Sequence, residues 1–274
     1  MMEFTNEEYS YLMNKLRQFF LDKGFIECHC QSKVSILSAC ENHLSIATFE
    51  LLGEKWPMIQ TGQMTLEEII MKNYDRPGYF CITTSYREEK DPNPERHQMV
   101  FPMFEVEAPI DLEGLAQLET ELIRYLGFPK PVRMNYMDAL ERYGVSEIGH
   151  LEEKKMYAEF GPVLLMNFPK EQSYWNMKLN DDGETCSKID VILDIETIGS
   201  AEREIDTEKM RKRFYEISEG NYANTLFEKF GRERVERELE EYLKLNFKKR
   251  SGFGCGFGRL CAIMRKEGML PKFE

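Results

Sequence analysis

Gly252-Phe253-Gly254-Cys255-Gly256-Phe257-Gly258-Arg259 sets a glycine at every second position and closes on an arginine. Successive side chains of an extended strand point to opposite faces, so this spacing strips one face to bare backbone. A flat or bulky ligand can then lie against it. Arg259 comes up beside that face, planar and permanently charged, able both to stack and to grip phosphate. Glycines alone also suit a flexible turn; a second constellation far upstream separates the two readings.

Ser85-Tyr86-Arg87-Glu88-Glu89 runs into the polar loop Lys90-Asp91-Pro92-Asn93-Pro94-Glu95-Arg96-His97, then Phe101 and the alternating Glu105 and Glu107. The flanks, Tyr79 to Ile82 and Met103 to Ala108, alternate like two strands of a hairpin, with the proline-bearing segment at its tip. Arg87, Arg96 and His97 would project from it toward one site. Read singly, these charges are those of a solvated hairpin. With the glycine strand they form a set.

That set resembles the class II aminoacyl-tRNA synthetases, specifically the catalytic domain of the asparaginyl and aspartyl branch. Arg87-Glu88-Glu89, the Arg96-His97 loop and Phe101 look like motif 2 of the class, and Gly252 to Arg259 looks like motif 3. Gln60-Thr61-Gly62-Gln63-Met64-Thr65-Leu66-Glu67 is similar to the amino-acid-binding segment of asparaginyl synthetases. So are Phe168-Pro169-Lys170, Met177 to Gly183, and Asp190 to Arg203. The likeness runs from about Leu12 to Leu260 with the motifs in the family's order.

Composition bounds the reading independently. A chain of 274 residues, 42% hydrophobic, can bury a large core, as one big domain or two small ones. No apolar stretch approaches the roughly 18 residues of a membrane span, and the acidic start Met1-Met2-Glu3-Phe4 is no signal peptide, so a cytoplasmic protein without a membrane partner is expected. Seven cysteines without a repeated spacing fit reduced thiols. Cys28-His29-Cys30 lacks metal-ligand spacing, because neighbouring strand residues face opposite ways. The net charge of −12 means that a tRNA would have to be met by a local basic patch. Lys244, Lys248, Lys249 and Arg250 are a short cluster that reads as a solvated helix end or as help in drawing in a triphosphate.

The coarse pattern is α/β without repeats. Thr5 and Glu8 form a capping box for a helix burying Leu12, Leu16 and Phe20, and Asp111 caps a second over Leu115, Leu118 and Leu122 that closes at Gly127. Strands are expected at Val163 to Phe168, Tyr174 to Leu179 and Ile189 to Ile195, with Asp181-Asp182-Gly183 turning the second into the third. Residues 207–249 read as helix with a break at Gly220-Asn221. Hairpins interleaved with helices predict an α+β arrangement, an antiparallel sheet flanked by helices, which is also what the resemblance implies.

The resemblance further implies a single catalytic domain over 1–274. The first helix begins too near Met1 to leave room for the anticodon-binding barrel that asparaginyl and aspartyl synthetases carry ahead of it. A catalytic domain of this kind without the barrel looks like an AMP-forming, ammonia-dependent asparagine synthetase, which makes aspartyl-adenylate from aspartate and ATP and lets ammonia attack it. The expectation is therefore a homodimer whose partners are aspartate, ATP and ammonia, with tRNA unlikely to be one.

Joining a carboxylate to the α-phosphate brings anion to anion, so catalysis rests on neutralising charge and holding the two in line. By resemblance, Arg87 holds the α-phosphate and the aspartyl carboxylate, and Arg259 and Phe101 sandwich the adenine over Gly256. Glu89 touches the adenine edge, and Arg96 and His97 reach the outer phosphates. Phe101 equally suits a core aromatic on a half-buried strand. Asp190 and Glu196 stand where the family places its acidic Mg²⁺ ligands, hard oxygen donors of the right kind. Their even spacing puts them on one face if the strand is regular. Arg203 matches the arginine that grips the side-chain end of aspartate or asparagine, a fork suited to a carboxylate, and so points to a four-carbon acidic amino acid or its amide. Gln63 would orient that substrate and Glu41 would take its ammonium group.

Leu66 stands where aspartyl synthetases use lysine, Val100 and Gly258 replace acidic residues beside the adenine site, and Gln31 replaces the proline that ends motif 1, the dimer-forming element. None removes a charge that adenylation needs. Two other readings stay open: an aspartate- or asparagine-activating ligase that transfers to another amine, and a non-catalytic asparaginyl-tRNA synthetase paralogue that binds tRNA or a regulator.

Overall fold

The structure, a computed structural model, describes residues 3–30, 34–38, 41–91 and 98–273. Helix α1 (Asn6–Asp22) starts where the sequence says: Thr5 Oγ1 accepts from the Glu8 amide at 3.2 Å and Glu8 Oε2 from the Thr5 amide at 2.8 Å. Strands β1 (Ile26–Glu27), β2 (Thr48–Leu51) and β3 (Glu54–Pro57) and helix α2 (Gln63–Lys72) precede the hairpin β4 (Tyr79–Tyr86) and β5 (Val100–Ala108). Helix α3 (Leu112–Leu126) is capped by Asp111 and stops at Gly127, whose φ of 112° is open to glycine and costly for other residues. Then come β6 (Val132–Asn135), α4 (Tyr136–Tyr143), α5 (His150–Phe160), β7 (Val163–Pro169), β8 (Thr185–Leu193) and β9 (Ile195–Glu202). Helices α6 (Thr207–Glu216), α7 (Asn221–Phe230) and α8 (Arg232–Leu243) lead to β10 (Ser251–Gly256) and α9 (Phe257–Lys266).

Among the described residues, eight strands form one sheet in the order β1-β4-β5-β10-β9-β8-β7-β6. β1 with β4 and β6 with β7 are parallel, and every other neighbouring pair is antiparallel. The expected fold, a mainly antiparallel sheet flanked by helices, is the one observed. One face carries Phe80, Phe104, Val106, Ile189, Ile198, Phe253 and Cys255 into a core with Leu12, Leu16 and Phe20 of α1, Leu115 and Leu122 of α3, and Leu260 of α9. Period-2 alternation then sends their strand neighbours to the opposite face. That face is unusually polar for a sheet interior, and a second apolar cluster built from Trp175 and the helices α6 to α8 lies beyond it.

Three expectations change. Tyr174 to Leu179 is not a strand; it makes only the isolated bridges Met177 with Arg203 and Leu179 with Cys186. Ile189 to Ile195 is two strands, because Asp194 takes a φ of 68° and reverses the chain between β8 and β9. The helical stretch 207–249 has the expected break, at residues 217–220, but breaks again at Gly231, which has a φ of 86°, and ends at Leu243. Among the described residues no helix is long and apolar enough to cross a membrane.

Candidate active site

The polar face is assembled from alternate residues of five adjacent strands. Register places Cys81 opposite Glu105 and Tyr79 opposite Glu107 between β4 and β5, and Gly252, Gly254 and Gly256 of β10 opposite Glu107, Glu105 and Met103. On the other side of β10, Gly254 meets Gly199 of β9, which in turn meets Asp190 of β8. A cavity of about 290 Å³ opens on this surface, lined by Arg87, Glu89, Phe101, Met103, Met177, Lys188, Glu196, Gly199, Gly254, Gly256, Gly258 and Arg259 among others. The hairpin, which ends at Ala108, and the glycine strand, which begins at Ser251, therefore do meet.

The bare glycine face is partly filled by the protein itself. A methyl group on Gly252 would collide with Glu107 Oε2 and stand 2.6 Å from Gln63 Nε2, and one on Gly254 would stand 2.6 Å from Met103 Cε. At Gly256 the nearest atoms would be Arg259 Cδ at 3.8 Å and the Thr197 carbonyl at 3.9 Å. Gly252 is thus needed for packing, while the space open to a ligand lies toward Gly256.

Arg87 follows β4, tied by its amide to the Met99 carbonyl at 2.8 Å, with its guanidinium carbon 5.3 Å from the Phe101 ring centroid. Its Nε is buried without a hydrogen-bond partner among the described residues. Arg259, in the first turn of α9, reaches across to donate to the Glu196 carbonyl at 2.6 Å and sits 3.4 Å from Glu196 Oε2. Arg96, His97 and Gln31 lie outside the described residues.

Asp190 and Glu196 are not on one strand, as an unbroken β8 would have required; the reversal at Asp194 puts them on neighbouring strands. They converge all the same: a methyl group on Gly199 would be 3.0 Å from Glu196 Oε1 and 3.7 Å from Asp190 Oδ1. Burial raises the Asp190 carboxyl above its usual range; Lys188, whose Nζ is 2.9 Å from Oδ2, opposes that, and Glu196 and Glu153 add to it. Asp190 Oδ1 is buried and lacks a hydrogen-bond partner among the described residues. A buried orphan carboxylate oxygen beside a second carboxylate suits a hard divalent cation such as Mg²⁺, so the residues present fit that ion. Glu153, on α5, braces the pair by accepting from the Glu196 amide at 3.1 Å.

Arg203, Gln63 and Glu41 are buried behind this cavity, at 0%, 0% and 4% exposure. Arg203 lies 3.7 Å from Glu67 and 3.5 Å from Glu107, both fully buried. Gln63 donates to Glu107, and Asn176 Nδ2 and Tyr242 Oη donate to Glu67 at 3.1 and 2.7 Å. Arg250 closes the network, with Nε and Nη2 on Glu67 at 2.9 and 2.6 Å. It is completely buried, not part of a solvated helix end. Its parity with Gly252 and Gly254 along β10 is the sequence signal that it faces inward. Burial raises the Glu107 carboxyl above its usual range, with Arg203 opposing and Glu67 adding. Burial likewise lifts Glu41 to about 8 against the Ser38 amide, which donates at 2.5 Å. Glu105 anchors the segment before α2, accepting from the Gly62 amide at 2.8 Å and from the Thr61 and Thr83 hydroxyls. The i, i+4 spacing of Gln63 and Glu67 then turns both toward Arg203.

Residues 7–270 match the family model of class II tRNA synthetases (D, K and N). The asparagine–tRNA ligase of Psychromonas ingrahamii is 32% identical over 171 residues, covering 57% of this chain and 33% of that protein. That of Ureaplasma urealyticum serovar 10 is 32% identical over 265 residues, covering 77% of this chain and 54% of that protein. The chain thus spans about half, or less, of the length of these relatives. Among solved structures, asparaginyl-tRNA synthetase from Pyrococcus horikoshii complexed with asparaginyl-adenylate superposes with a TM-score of 0.79 at 24% identity, over 95% of this chain and 64% of that one. Aspartyl tRNA synthetase from Entamoeba histolytica superposes with a TM-score of 0.68 at 17% identity, over 97% and 57%. The chain belongs to the class II tRNA synthetases of the D, K and N group.

Two expectations are corrected by these relatives. They are named as tRNA ligases, so the reading as an ammonia-dependent asparagine synthetase fails, and with it the view that tRNA is unlikely to be a partner. The residues that favour adenylation carry no record of the nucleophile that consumes the adenylate. A net charge of −12 is a whole-molecule sum and says little about the local field at one mouth.

Proposed function

We propose that this class II synthetase chain activates asparagine with ATP as asparaginyl-adenylate and delivers the aminoacyl group to a tRNA. The observation that carries the choice of amino acid is Arg203 held between Glu67 and Glu107, at 3.7 and 3.5 Å. An aspartate carboxylate entering there would face two carboxylates of its own sign. An asparagine amide can accept from the guanidinium through its oxygen and donate to a carboxylate through its nitrogen. The curated relatives named as asparagine–tRNA ligases, and the Pyrococcus relative solved with asparaginyl-adenylate, support the same reading.

In this scheme Arg87 spans the α-phosphate and the attacking carboxylate, neutralising both as the P–O bond to the amino acid forms and pyrophosphate leaves. Phe101 and Arg259 hold the adenine from two sides above Gly256, and Glu89 contacts its edge. Arg96 and His97 would meet the outer phosphates. Gln63 orients the amino acid, and Glu41, ionised by the arriving charge, takes its ammonium group. Asp190 and Glu196 would hold Mg²⁺, which when bound supplies positive charge to the triphosphate. Arg259 must leave Glu196 to reach the adenine, so ATP binding exchanges one partner for another.

The test is pyrophosphate exchange into ATP with asparagine or aspartate, followed by charging of tRNA transcripts. Exchange at least about tenfold faster with asparagine is expected, a modest demand on a site that reads polar groups. Preference for aspartate would sink the amino-acid assignment, and exchange without charging of any tRNA would sink the assignment of the acceptor.

A further inference from the structure

Lys188 has no role in the scheme above. It lies on β8 two residues before Asp190, so strand alternation puts both side chains on the cavity face. Its Nζ is 2.9 Å from Asp190 Oδ2 and 3.9 Å from the centroid of the Phe168 ring, and its side chain is only 20% exposed. Lys188 lines the same cavity as Arg87, Glu196 and Arg259. A carboxylate and an aromatic face therefore hold the ammonium in place, while its three N–H donors exceed what these two contacts use.

Asp190 divides its oxygens accordingly: Oδ2 is taken by Lys188, and Oδ1, buried and without a hydrogen-bond partner among the described residues, is the one turned with Glu196 toward Gly199. A fixed positive charge on one oxygen of a carboxylate weakens the hold of the other on a cation, strongly so where water is excluded. We propose that Lys188 is the chain's own cation in the phosphate site. It takes one Asp190 oxygen and turns its spare donors to the phosphates. The carboxylate pair is left to bind one divalent ion, weakly until a nucleotide arrives. The phosphate half of this proposal rests on the adenylation reading; the metal half rests on the geometry alone.

The experiment measures Mn²⁺ binding to the ligand-free protein by electron paramagnetic resonance, and ATP binding in EDTA by calorimetry, for the wild type, Lys188→Met and Lys188→Arg. Lys188→Met should bind Mn²⁺ at least about tenfold more tightly and metal-free ATP about tenfold more weakly, with Lys188→Arg close to the wild type in both. Unchanged or weaker Mn²⁺ binding by a folded Lys188→Met protein would overturn the proposal, since a merely structural lysine predicts that result. Lys188→Gln replaces Lys188→Met if the latter does not fold, with the same expectation. If ATP fails to bind the wild type even with Mg²⁺, the adenylation reading falls and the phosphate half with it. If ATP binds but the Mn²⁺ affinity does not move, Lys188 alone has been misassigned.

Discussion

Replacing Glu67 with glutamine tests whether the buried charge network both holds the fold together and shapes the amino-acid site. Glu67 is fully buried and accepts from Arg250 at 2.9 and 2.6 Å, from Tyr242 at 2.7 Å and from Asn176 at 3.1 Å, with Arg203 3.7 Å away. Glutamine preserves the shape but accepts on one side only, and its amide nitrogen would be pressed against donors. Arg250 and Arg203 would then share Glu107 as their remaining carboxylate. Removing one partner from a buried pair costs about 3–5 kcal/mol. Against the roughly 5–15 kcal/mol that holds a typical domain folded, that loss is severe. Urea denaturation followed by circular dichroism reads it directly. The double variant Glu67→Gln, Arg250→Met should be less destabilised than the sum of the two single changes, because it removes the stranded charge along with its partner. A loss under about 1 kcal/mol for Glu67→Gln, or strict additivity in the double variant, would refute the view that these groups form one network.

Two further outcomes follow from the same face. Gly252→Ala should destabilise the protein by about 3 kcal/mol or prevent its folding, because the added methyl meets Glu107 and Gln63, whereas Gly256→Ala should fold normally and weaken ATP binding; thermal melts and calorimetry separate the two, and equal melting temperatures would contradict the packing role given to Gly252. Burial holds Glu41 near 8, so it binds a proton below that value and must lose it to pair with an ammonium group; the affinity for asparagine should therefore strengthen as pH rises from 6 to about 8 and level off above, a dependence that Glu41→Gln abolishes, and a flat wild-type profile would remove Glu41 from the site.

Local patterns in the sequence were enough for the scaffold. The capping box at Thr5 and Glu8, the Asp111 cap, the hairpin of β4 and β5 and the glycine strand each depend on residues two to four apart, where backbone geometry dictates which face a side chain takes. The strand expected at Tyr174 to Leu179 failed for the opposite reason. Its alternation is genuine, but a strand also needs a neighbour with which to share a ladder, and among the described residues it finds none beyond two isolated bridges. The run Ile189 to Ile195 misled because its reversal rests on Asp194, an aspartate in a left-handed conformation that glycine or asparagine would have advertised.

The site was legible where it is read from one segment and hidden where it depends on charges meeting across the fold. Arg87, Phe101, Gly256 and Arg259 line one cavity. Arg250 looked like the end of a basic run, yet it is fully buried, because Glu67, 183 residues away, supplies its counter-charge. A lysine or arginine read along the sequence is assumed to be solvated because that is where most of them are. The exception arises only when a carboxylate buried by another element compensates it, and no window of sequence contains both. The same holds for the choice between aspartate and asparagine. Arg203 alone admits an acidic amino acid or its amide, and the proposed preference for the amide rests on two acids carried on α2 and β5, Glu67 and Glu107. The parity rule that ties Arg250, Gly252 and Gly254 to one face, and Gln63 to Glu67 along one helix, is the signal by which this network can be sought in other chains built on the same sheet.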